Sequence, residues 1–347
     1  MRTARMSSLA ICGATLLTPA GTGRHDTRPI NHPTREDSAV IANPDRLVAR
    51  VTLVVKPGEE EQLAVACARL AEQAAGLTED EPLERRHLLP HAVEMLLPSS
   101  SLAAARRTVQ AALADLAVDY AVRSAAQEAC RLLISDMDST LIAAECIDEL
   151  AALAGAGEKV RAVTERAMRG ELDFAGALRA RVALLAGLPE AALLDVARSH
   201  APLRPGARTL FATLKAEGVF TVIVSGGFVP IVRHVASLLE ADAWHANELE
   251  IRDGRLTGRV PGEIVDAAAK ARFLREHGSR LGVKPASWTA LGDGANDLAM
   301  LQAAGLAIGV HPKPVVAQEA HGLVRHTDLT SVLLYLGITP ERWVPCE

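Results

Sequence analysis

The sequence predicts an α/β protein with a three-layer, Rossmann-like core of parallel strands, an inserted helical cap, and a smaller α+β domain on its N-terminal side. Three observations lead to this prediction. Short apolar segments recur and end in polar residues, helical segments alternate with them, and one long helical block interrupts the alternation. Alternating strands and helices are typical of parallel sheets with right-handed crossovers. A chain of 347 residues is long enough for this arrangement.

The first core strand carries two carboxylates. Leu132, Leu133 and Ile134 form a short apolar run, which predicts a buried parallel strand, and Asp136 and Asp138 follow at its C-terminal end. Alternate residues of an extended chain project to the same side, so both carboxylates can reach one site. Such a pair suits a hard cation or acid–base chemistry. The alternative is a strand that runs into an Asp-rich turn without a ligand, because Asp and Ser favour turns.

Composition narrows the class of protein. Hydrophobic residues make up 49% of the chain and charged residues 23%, as in a globular protein with a buried core. The net charge is −5, and no basic stripe is present, which argues against nucleic acid as the partner. No apolar run approaches the ~20 residues of a membrane helix. Five cysteines without a CxxC pair fit a reducing cytoplasm.

The first 46 residues show no sustained hydrophobic periodicity of the helix or strand type, and this pattern predicts a flexible extension. Arg2 and Arg5 precede the apolar stretch Leu9 to Ala20, which has the outline of a short signal peptide, although polar residues and a glycine interrupt it. Secretion is therefore the alternative to a cytoplasmic location, and Met6 is an alternative start.

Residues 47–126 predict a small α+β domain. Alternating apolar residues from Ala49 to Val55 predict a strand, and the stretch from Glu59 to Ala75 has helical spacing. A second strand-like stretch follows, then a helix with Ser101 as N-cap, then a last strand. This order resembles a ferredoxin-like unit, of the ACT-like kind. It suits regulation or dimerisation and leaves a homodimer open, whereas a packing appendage without a ligand is the alternative.

The rest of the chain predicts a core over 127–144 and 202–337, a helical cap over 145–201, and a C-terminal tail over 338–347. Ala, Leu, Glu and Arg dominate the cap and predict four short helices. The block is too long for a simple crossover and is therefore an insertion. Caps of this kind exclude water from a site and contact the substrate.

Two later core strands also end in polar residues. A strand over Val219–Val224 ends at Ser225-Gly226-Gly227, and a strand over Ser287–Leu291 ends at the segment Gly292–Asp297. Helices precede and follow them, Asp253-Gly254 predicts a hairpin, and a further strand covers Leu306–Val310. The carboxyl ends of parallel strands lie at one edge of a sheet, so these polar groups are expected to converge.

The converging groups suit phosphate chemistry. The carboxylates of Asp136 and Asp293 can hold Mg²⁺, which prefers oxygen ligands. Ser225, the backbone N–H groups that follow it, and Lys270 from the start of a helix can contact phosphoryl oxygens. Gly226 permits close approach of the backbone.

These motifs, in this order, resemble those of the haloacid dehalogenase superfamily. The segment Asp136-Met137-Asp138-Ser139-Thr140, then Ser225-Gly226-Gly227, Lys270 and Gly292-Asp293-Gly294-Ala295-Asn296-Asp297 match its motif series. The stretches Glu145–Leu150, Thr164–Phe174, Arg179–Val182 and Ala246–Leu249 are similar to the phosphoserine phosphatase family within it. The resemblance covers about residues 130 to 337.

The resemblance implies a role for each matching residue. Asp136 would be the nucleophile that forms an aspartyl-phosphate, and Asp138 the general acid and base, with its backbone carbonyl completing a Mg²⁺ site made by Asp136 and Asp293. Ser225, Gly226 and Lys270 would bind the phosphoryl group, while Asp297 would orient these groups. The residues expected to contact the substrate, O-phospho-L-serine, are Glu145 at its ammonium, Arg181 at its carboxylate, and Met168, Phe174 and Asn296.

Two alternatives stay open. One is another phosphatase or phosphotransferase of the same superfamily with a different substrate or acceptor. The other is an amino-acid sensor in which the N-terminal domain binds the ligand and the catalytic core is secondary. The activity that the family resemblance implies, hydrolysis of O-phospho-L-serine, is the last step of L-serine biosynthesis.

Overall fold

The structure, a computed structural model, describes residues 47–75 and 83–346. The predicted flexible extension over residues 1–46, with its signal-like stretch, lies outside the described residues. Within the described part, no helix is long and apolar enough to cross a membrane.

The described N-terminal segment has the predicted order of strands and helices, and its second strand-like stretch, predicted from Arg85 to Leu97, divides near Pro90 into two strands. Its elements are β1 (Leu47–Val54), α1 (Glu60–Ala75), β2 (Arg85–Leu89), β3 (Ala92–Ser99), α2 (Leu102–Ala112) and β4 (Asp119–Ser124). Ser101 caps α2 as predicted, because its side chain accepts a hydrogen bond from the Ala104 N–H at 3.0 Å.

The first core strand leads into four helices, as predicted. These elements are β5 (Leu132–Ser135), α3 (Cys146–Leu153), α4 (Gly157–Met168), α5 (Phe174–Ala183) and α6 (Ala191–Ser199). We call the four helices the helical insertion. Asp173 begins α5 by accepting a hydrogen bond from the Gly176 N–H at 2.7 Å.

The second part of the core alternates between helices and strands. Its α-helices and strands are α7 (Ala207–Ala216), β6 (Phe220–Phe228), α8 (Val229–Leu239), β7 (Ala243–Asn247), β8 (Ile251–Arg252), β9 (Arg255–Leu256), α9 (Ala267–Leu281), β10 (Trp288–Gly292), α10 (Leu298–Ala303), β11 (Leu306–Val310), α11 (Pro314–Glu319), β12 (Gly322–Val324) and α12 (Ser331–Tyr335).

Ten of the described strands form one continuous sheet in the order β2-β3-β1-β4-β12-β11-β10-β5-β6-β7. The six strands from β12 to β7 are parallel, whereas β4 pairs with β12 in the antiparallel direction. The N-terminal segment is therefore joined to the core through the sheet itself. Asp119 on β4 strengthens this junction, because its buried carboxylate accepts hydrogen bonds from the N–H groups of Arg325, His326 and Thr327 at 2.8 to 3.0 Å.

Apolar side chains cover both faces of the parallel strands. Leu133 of β5 packs in a cluster with residues of α7, α8 and the helical insertion, while Leu132 and Ile134 pack in a second cluster with residues of α9 and α10. This alternation is the strand periodicity expected for a sheet that is buried on both faces. It leaves the carboxyl ends of the strands as the place for polar side chains.

Two elements of the core differ from those that the sequence predicts. β6 runs beyond Val224 to Phe228, with a shift of its register against β7 over that interval, so Ser225 and Gly226 lie within the irregular part of a strand rather than after it. The sequence also predicts a helix from Asp266 to His277, whereas α9 begins at Ala267 and extends to Leu281. Two consecutive glycines indicate the end of a strand in the sequence, but the irregular register of β6 accommodates them within the strand.

Candidate active site

A buried lysine joins two carboxylates at the centre of the site. Lys270 lies in the first turn of α9, which Asp266 caps, and its side chain is 0% exposed. Its Nζ lies 2.8 Å from Asp136 Oδ1 and 2.7 Å from Asp297 Oδ1. These carboxylates raise the pKa of Lys270 against the opposing effect of burial, so its ammonium remains charged.

Asp297 holds the loop after β10 in place. Its Oδ2 accepts hydrogen bonds from the N–H groups of Asp293 at 3.1 Å and Gly294 at 3.0 Å, while its Oδ1 accepts from Lys270. Gly292 is needed here, since a Cβ at that position would lie 2.6 Å from the Asp297 side chain. Both oxygens of Asp297 are thus engaged with the protein.

Three buried carboxylates can hold a metal ion. Oxygen atoms of Asp136, Asp293 and Asp297 lie within 4.8 Å of one another. Carboxylate oxygens are the ligands that hard divalent cations prefer, so the donor set fits such an ion. Because both oxygens of Asp297 already accept hydrogen bonds, Asp136 and Asp293 are the better ligands.

Burial raises the pKa of Asp136, and the charge of Asp297 raises it further, whereas Lys270 lowers it. Burial likewise raises the pKa of Asp293, and Lys313 opposes this with its Nζ 3.3 Å from Asp293 Oδ2. A divalent cation between these carboxylates would favour their ionised forms.

Asp138 faces Ser225 and the start of α3. Ser225 Oγ donates to Asp138 Oδ2 at 3.4 Å, and the Cys146 N–H donates to Asp138 Oδ1 at 3.3 Å. Ser225 Oγ in turn accepts from the Gly227 N–H at 2.8 Å, so that N–H is already engaged. Burial raises the pKa of Asp138, while its hydrogen bonds with Cys146 and Ser225 lower it.

The two glycines after Ser225 lie in tight surroundings. A Cβ on Gly227 would lie 2.9 Å from Asp138 Oδ2 and 3.0 Å from Ser225 Oγ. A Cβ on Gly226 would lie 3.1 Å from Cζ of Phe174, the first residue of α5. The helical insertion therefore contacts the core at Gly226.

A tight turn follows Asp138 and leads to Glu145. Ser139 has a φ of 58°, in the left-handed region, and its Oγ donates to Glu145 Oε1 at 2.9 Å. Arg204 fixes this turn, since its Nη2 donates to the Ser139 carbonyl at 2.9 Å. Partial burial and the charge of Asp138 raise the pKa of Glu145.

The remaining predicted contact residues differ in their placement. Burial lowers the pKa of Arg181, while the carboxylates of Asp148 and Glu145 raise it, so Arg181 and Glu145 lie close enough to interact. Asn296 Oδ1 lies 2.7 Å from the position of a Cβ on Gly294. Met168 is 83% exposed at the end of α4, and its contact with substrate stays a prediction.

Two contacts of the site were not predicted. The quoted family stretch contains Asn247, whose side chain donates to the Gly226 carbonyl at 2.8 Å and accepts from the Val265 N–H at 2.9 Å. Lys313 reaches Asp293 from the turn before α11. Two signals were available for Asn247, its place in the stretch Ala246–Leu249 that carries the family resemblance and its position at the end of a strand. A lysine beside two prolines gave no signal for Lys313.

Comparison of the sequence with known proteins assigns the chain to a family. The family model for haloacid dehalogenase-like hydrolases matches residues 133–302. A phosphoserine phosphatase of Streptomyces coelicolor is 45% identical over 293 residues, which cover 84% of this chain and 71% of that protein.

Two solved structures are similar to the fold. A probable phosphoserine phosphatase from Vibrio cholerae, in its unliganded form, has 35% identity and a TM-score of 0.65, and the match covers 85% of this chain and 88% of that one. A phosphoserine phosphatase with an analogue of a phospho-aspartyl intermediate has 36% identity and a TM-score of 0.56, over 60% of this chain and 99% of that one.

Proposed function

Since the chain belongs to the phosphoserine phosphatase family of haloacid dehalogenase-like hydrolases, we propose that it hydrolyses O-phospho-L-serine to L-serine and phosphate. This reaction is the last step of L-serine biosynthesis. The observation that carries the proposal is the buried ammonium of Lys270 between Asp136 and Asp297, beside Asp293. A cation fixed against a strand-end carboxylate suits a site where phosphoryl oxygens and a carboxylate must come together.

Asp136 is the nucleophile in this proposal. Lys270 and the proposed cation favour the ionised form of Asp136 against the effect of burial, and an ionised carboxylate needs no base to activate it. Its oxygen attacks phosphorus as the bond to the serine oxygen breaks, which gives an aspartyl-phosphate on Asp136. Lys270 fixes the orientation of Asp136, and with Ser225 and the backbone at Gly226 it neutralises charge on the phosphoryl oxygens.

Asp138 transfers the protons. It gives a proton to the departing serine oxygen, which takes the electron pair of the broken bond. It then accepts a proton from the water that attacks the aspartyl-phosphate and releases Asp136 as a carboxylate. The contacts of Asp138 with Ser225 and the Cys146 N–H support this role, because they hold its carboxylate beside the phosphoryl-binding residues.

We propose Mg²⁺ as the cation, held by the side chains of Asp136 and Asp293 and the backbone carbonyl of Asp138. When bound, it would neutralise charge on the phosphoryl group and favour in-line displacement. Asp297 orients this set rather than joining it, because Lys270 and two backbone N–H groups occupy its oxygens.

The substrate's amino-acid part is assigned to the helical insertion and the turn before it. Glu145 would bind the ammonium and Arg181 the carboxylate, an arrangement supported by their mutual electrostatic interaction. Phe174 would close the site from above Gly226, and Asn296 and Met168 complete the proposed contacts.

The finer domain division also belongs to this proposal. Residues 47–126 form a ferredoxin-like, ACT-like domain, which the element order β1-α1-β2-β3-α2-β4 supports. Residues 127–144 and 202–337 form a three-layer, Rossmann-like core, and residues 145–201 form its cap.

The test is phosphate release from O-phospho-L-serine with Mg²⁺ and with a chelator, beside O-phosphothreonine and O-phosphohomoserine. We expect Mg²⁺-dependent turnover with a clear preference for phosphoserine. Asp136→Asn should abolish it without unfolding the protein, and Asp253→Asn, the same change on an exposed hairpin, should leave it intact. Equal rates on all three esters would refute the substrate, and turnover by Asp136→Asn would refute the nucleophile.

A further inference from the structure

One ammonium beside the active site has no part in the proposed reaction. Lys313 lies in the turn between β11 and α11, and its Nζ is 3.3 Å from Asp293 Oδ2. The backbone N–H of Lys313 also donates to the Asp293 carbonyl at 2.8 Å. Both the backbone and the side chain of Lys313 therefore contact Asp293, which is a ligand of the proposed cation.

The turn that carries Lys313 has a fixed backbone. Pro312 and Pro314 restrict φ on either side of the lysine, and His311 has a φ of 42°, in the left-handed region. A Cβ on Gly309 would lie 2.9 Å from Pro312, so the turn packs closely against the end of β11. The fold thus determines where the backbone of Lys313 lies, whereas its long, flexible side chain can still rotate.

The two lysines of the site are held with different strength. The Lys270 side chain is 0% exposed, and its Nζ lies within 2.8 Å of both Asp136 and Asp297. The Lys313 side chain is 62% exposed, and within the described ranges Asp293 is its only ion-pair partner. Because ion pairs of exposed side chains contribute little to stability, the Lys313 ammonium can leave Asp293 once another cation neutralises that carboxylate.

Several negative charges act on Lys313. Burial lowers its pKa, but neighbouring carboxylates raise the pKa by more, so the ammonium stays charged. These carboxylates belong to Asp293, Glu145 and Asp297. A phosphoryl group beside Asp136 would bring a charge of about −2 to the same place, since oxygens of Asp136 and Asp293 lie within 4.8 Å of each other. The ammonium then has a second anion with which it can pair.

The Lys313 ammonium and a divalent cation compete for Asp293. Both are positive, the same carboxylate stabilises both, and like charges this close repel each other. Without phosphate, the cation must bind against the charge of the ammonium. With phosphate bound, the ammonium can pair with a phosphoryl oxygen and leave Asp293 to the cation.

We propose that Lys313 couples the binding of the divalent cation to the binding of phosphate. In the free protein its ammonium neutralises Asp293 and thereby lowers the affinity for the cation, and bound phosphate removes this competition. By linkage, the cation must raise the affinity for phosphate by the same factor. This coupling rests on the proposed function, because it concerns the cation and the phosphoryl group of that site.

Isothermal titration calorimetry of Mg²⁺ into the full chain, with and without saturating inorganic phosphate, measures the coupling directly. Inorganic phosphate is the probe because it is not hydrolysed. In the parent, phosphate should tighten the binding of free Mg²⁺ by at least about tenfold. The same titrations are run with Lys313→Met, Lys313→Arg and Lys284→Met, and thermal melts check that each variant is folded.

Lys313→Met removes the charge but keeps most of the side chain. Without phosphate this variant should bind Mg²⁺ about tenfold more tightly than the parent, because the competing charge is gone. With saturating phosphate the two proteins should have similar affinities for Mg²⁺, so the gain from phosphate should be about tenfold smaller in Lys313→Met. Lys313→Arg keeps the charge and should resemble the parent, as should the matched control Lys284→Met, which carries the same change at an exposed position elsewhere.

The proposal is overturned if Lys313→Met binds Mg²⁺ no more tightly than the parent without phosphate, because the lysine would then support Asp293 rather than compete for it. An unchanged effect of phosphate in Lys313→Met, or a Lys313→Arg variant that behaves like Lys313→Met, would also overturn it. If the parent binds no Mg²⁺ under either condition, the proposed cation site fails together with the coupling, whereas Mg²⁺ binding that Lys313→Met leaves unchanged refutes the coupling alone. Calorimetry does not depend on turnover, so a wrong substrate assignment is recognised separately.

Discussion

Replacing Lys270 by Met is expected to destabilise the protein strongly and to stop turnover. The Lys270 side chain is 0% exposed, and its ammonium is 2.8 Å from Asp136 and 2.7 Å from Asp297, whose side chains are 6% and 0% exposed. Met fills a similar volume but leaves both carboxylates without their shared cation. Removing one partner of a buried ion pair costs about 3–5 kcal/mol of the free energy of unfolding.

The loss of stability in Lys270→Met should be greater at alkaline pH than at acid pH. Without the ammonium, the folded-state pKa of Asp136, which burial already raises, should rise further above its unfolded value. A carboxyl group with a raised folded pKa binds a proton more readily in the folded state, so it adds stability as the pH falls. The deficit of Lys270→Met relative to the parent should therefore be largest at alkaline pH and shrink toward acid.

The assay is urea unfolding followed by circular dichroism at several pH values, with phosphate release measured in parallel. The double variant Lys270→Met/Asp136→Asn should recover part of the stability, because it removes one of the two stranded charges. Lys215→Met removes an exposed partner of Glu240, 2.6 Å away, and should change stability little. Turnover should fall by about 10²–10³-fold or more in Lys270→Met. An unchanged free energy of unfolding at alkaline pH would refute the argument.

Three further predictions concern recognition, closure and acid stability. Arg181→Ala should raise KM for O-phospho-L-serine by about 10–100-fold. The KM for O-phosphoethanolamine, which lacks the carboxylate, should stay unchanged. Equal effects on both esters would exclude Arg181 from recognition of the carboxylate. Gly226→Ala places a methyl group 3.1 Å from Phe174 Cζ and should raise KM for O-phospho-L-serine. Adding Phe174→Leu should lower KM part of the way back, and an unchanged KM in the double variant would contradict the steric contact between Gly226 and Phe174. Burial and His277 lower the pKa of His245 to about 4, so the free energy of unfolding should decline as the pH falls from 6.5 toward 4. In thermal melts over this pH range, the melting temperature of His245→Gln should decline less than that of the parent.

The convergence of the strand-end carboxylates was predictable from the sequence, because it follows from the topology of a parallel sheet. Once the strands ending at Asp136 and Asp293 are taken as parallel neighbours, their carboxylates must lie at one edge of the sheet, and β5 and β10 are indeed paired. Lys270 followed from its place in the motif series and from a clear helix start. Neither inference required knowledge of a tertiary contact.

The parts that were not predicted depend on contacts between distant segments. Lys313 carries no local pattern that distinguishes it from a surface lysine, and the signals at Asn247 do not indicate its partner. Only the folded arrangement brings Asn247 to Gly226 and Lys313 to Asp293. β12 has three residues, too few for a periodicity, and its pairing with β4 is fixed by tertiary packing.

The pairing of β4 with β12 has a consequence for any shortened form of this protein. A chain that begins at residue 127 would keep the pairing of β12 with β11, but the edge of β12 that faces β4 would lose its partner, and the loop at Arg325–Thr327 would lose its contacts with Asp119. Bare strand edges recruit other strands, so such a fragment should self-associate rather than report on an isolated catalytic unit. The N-terminal segment thus covers an edge of the core sheet. Point substitutions within this segment are therefore better probes of its role than its deletion.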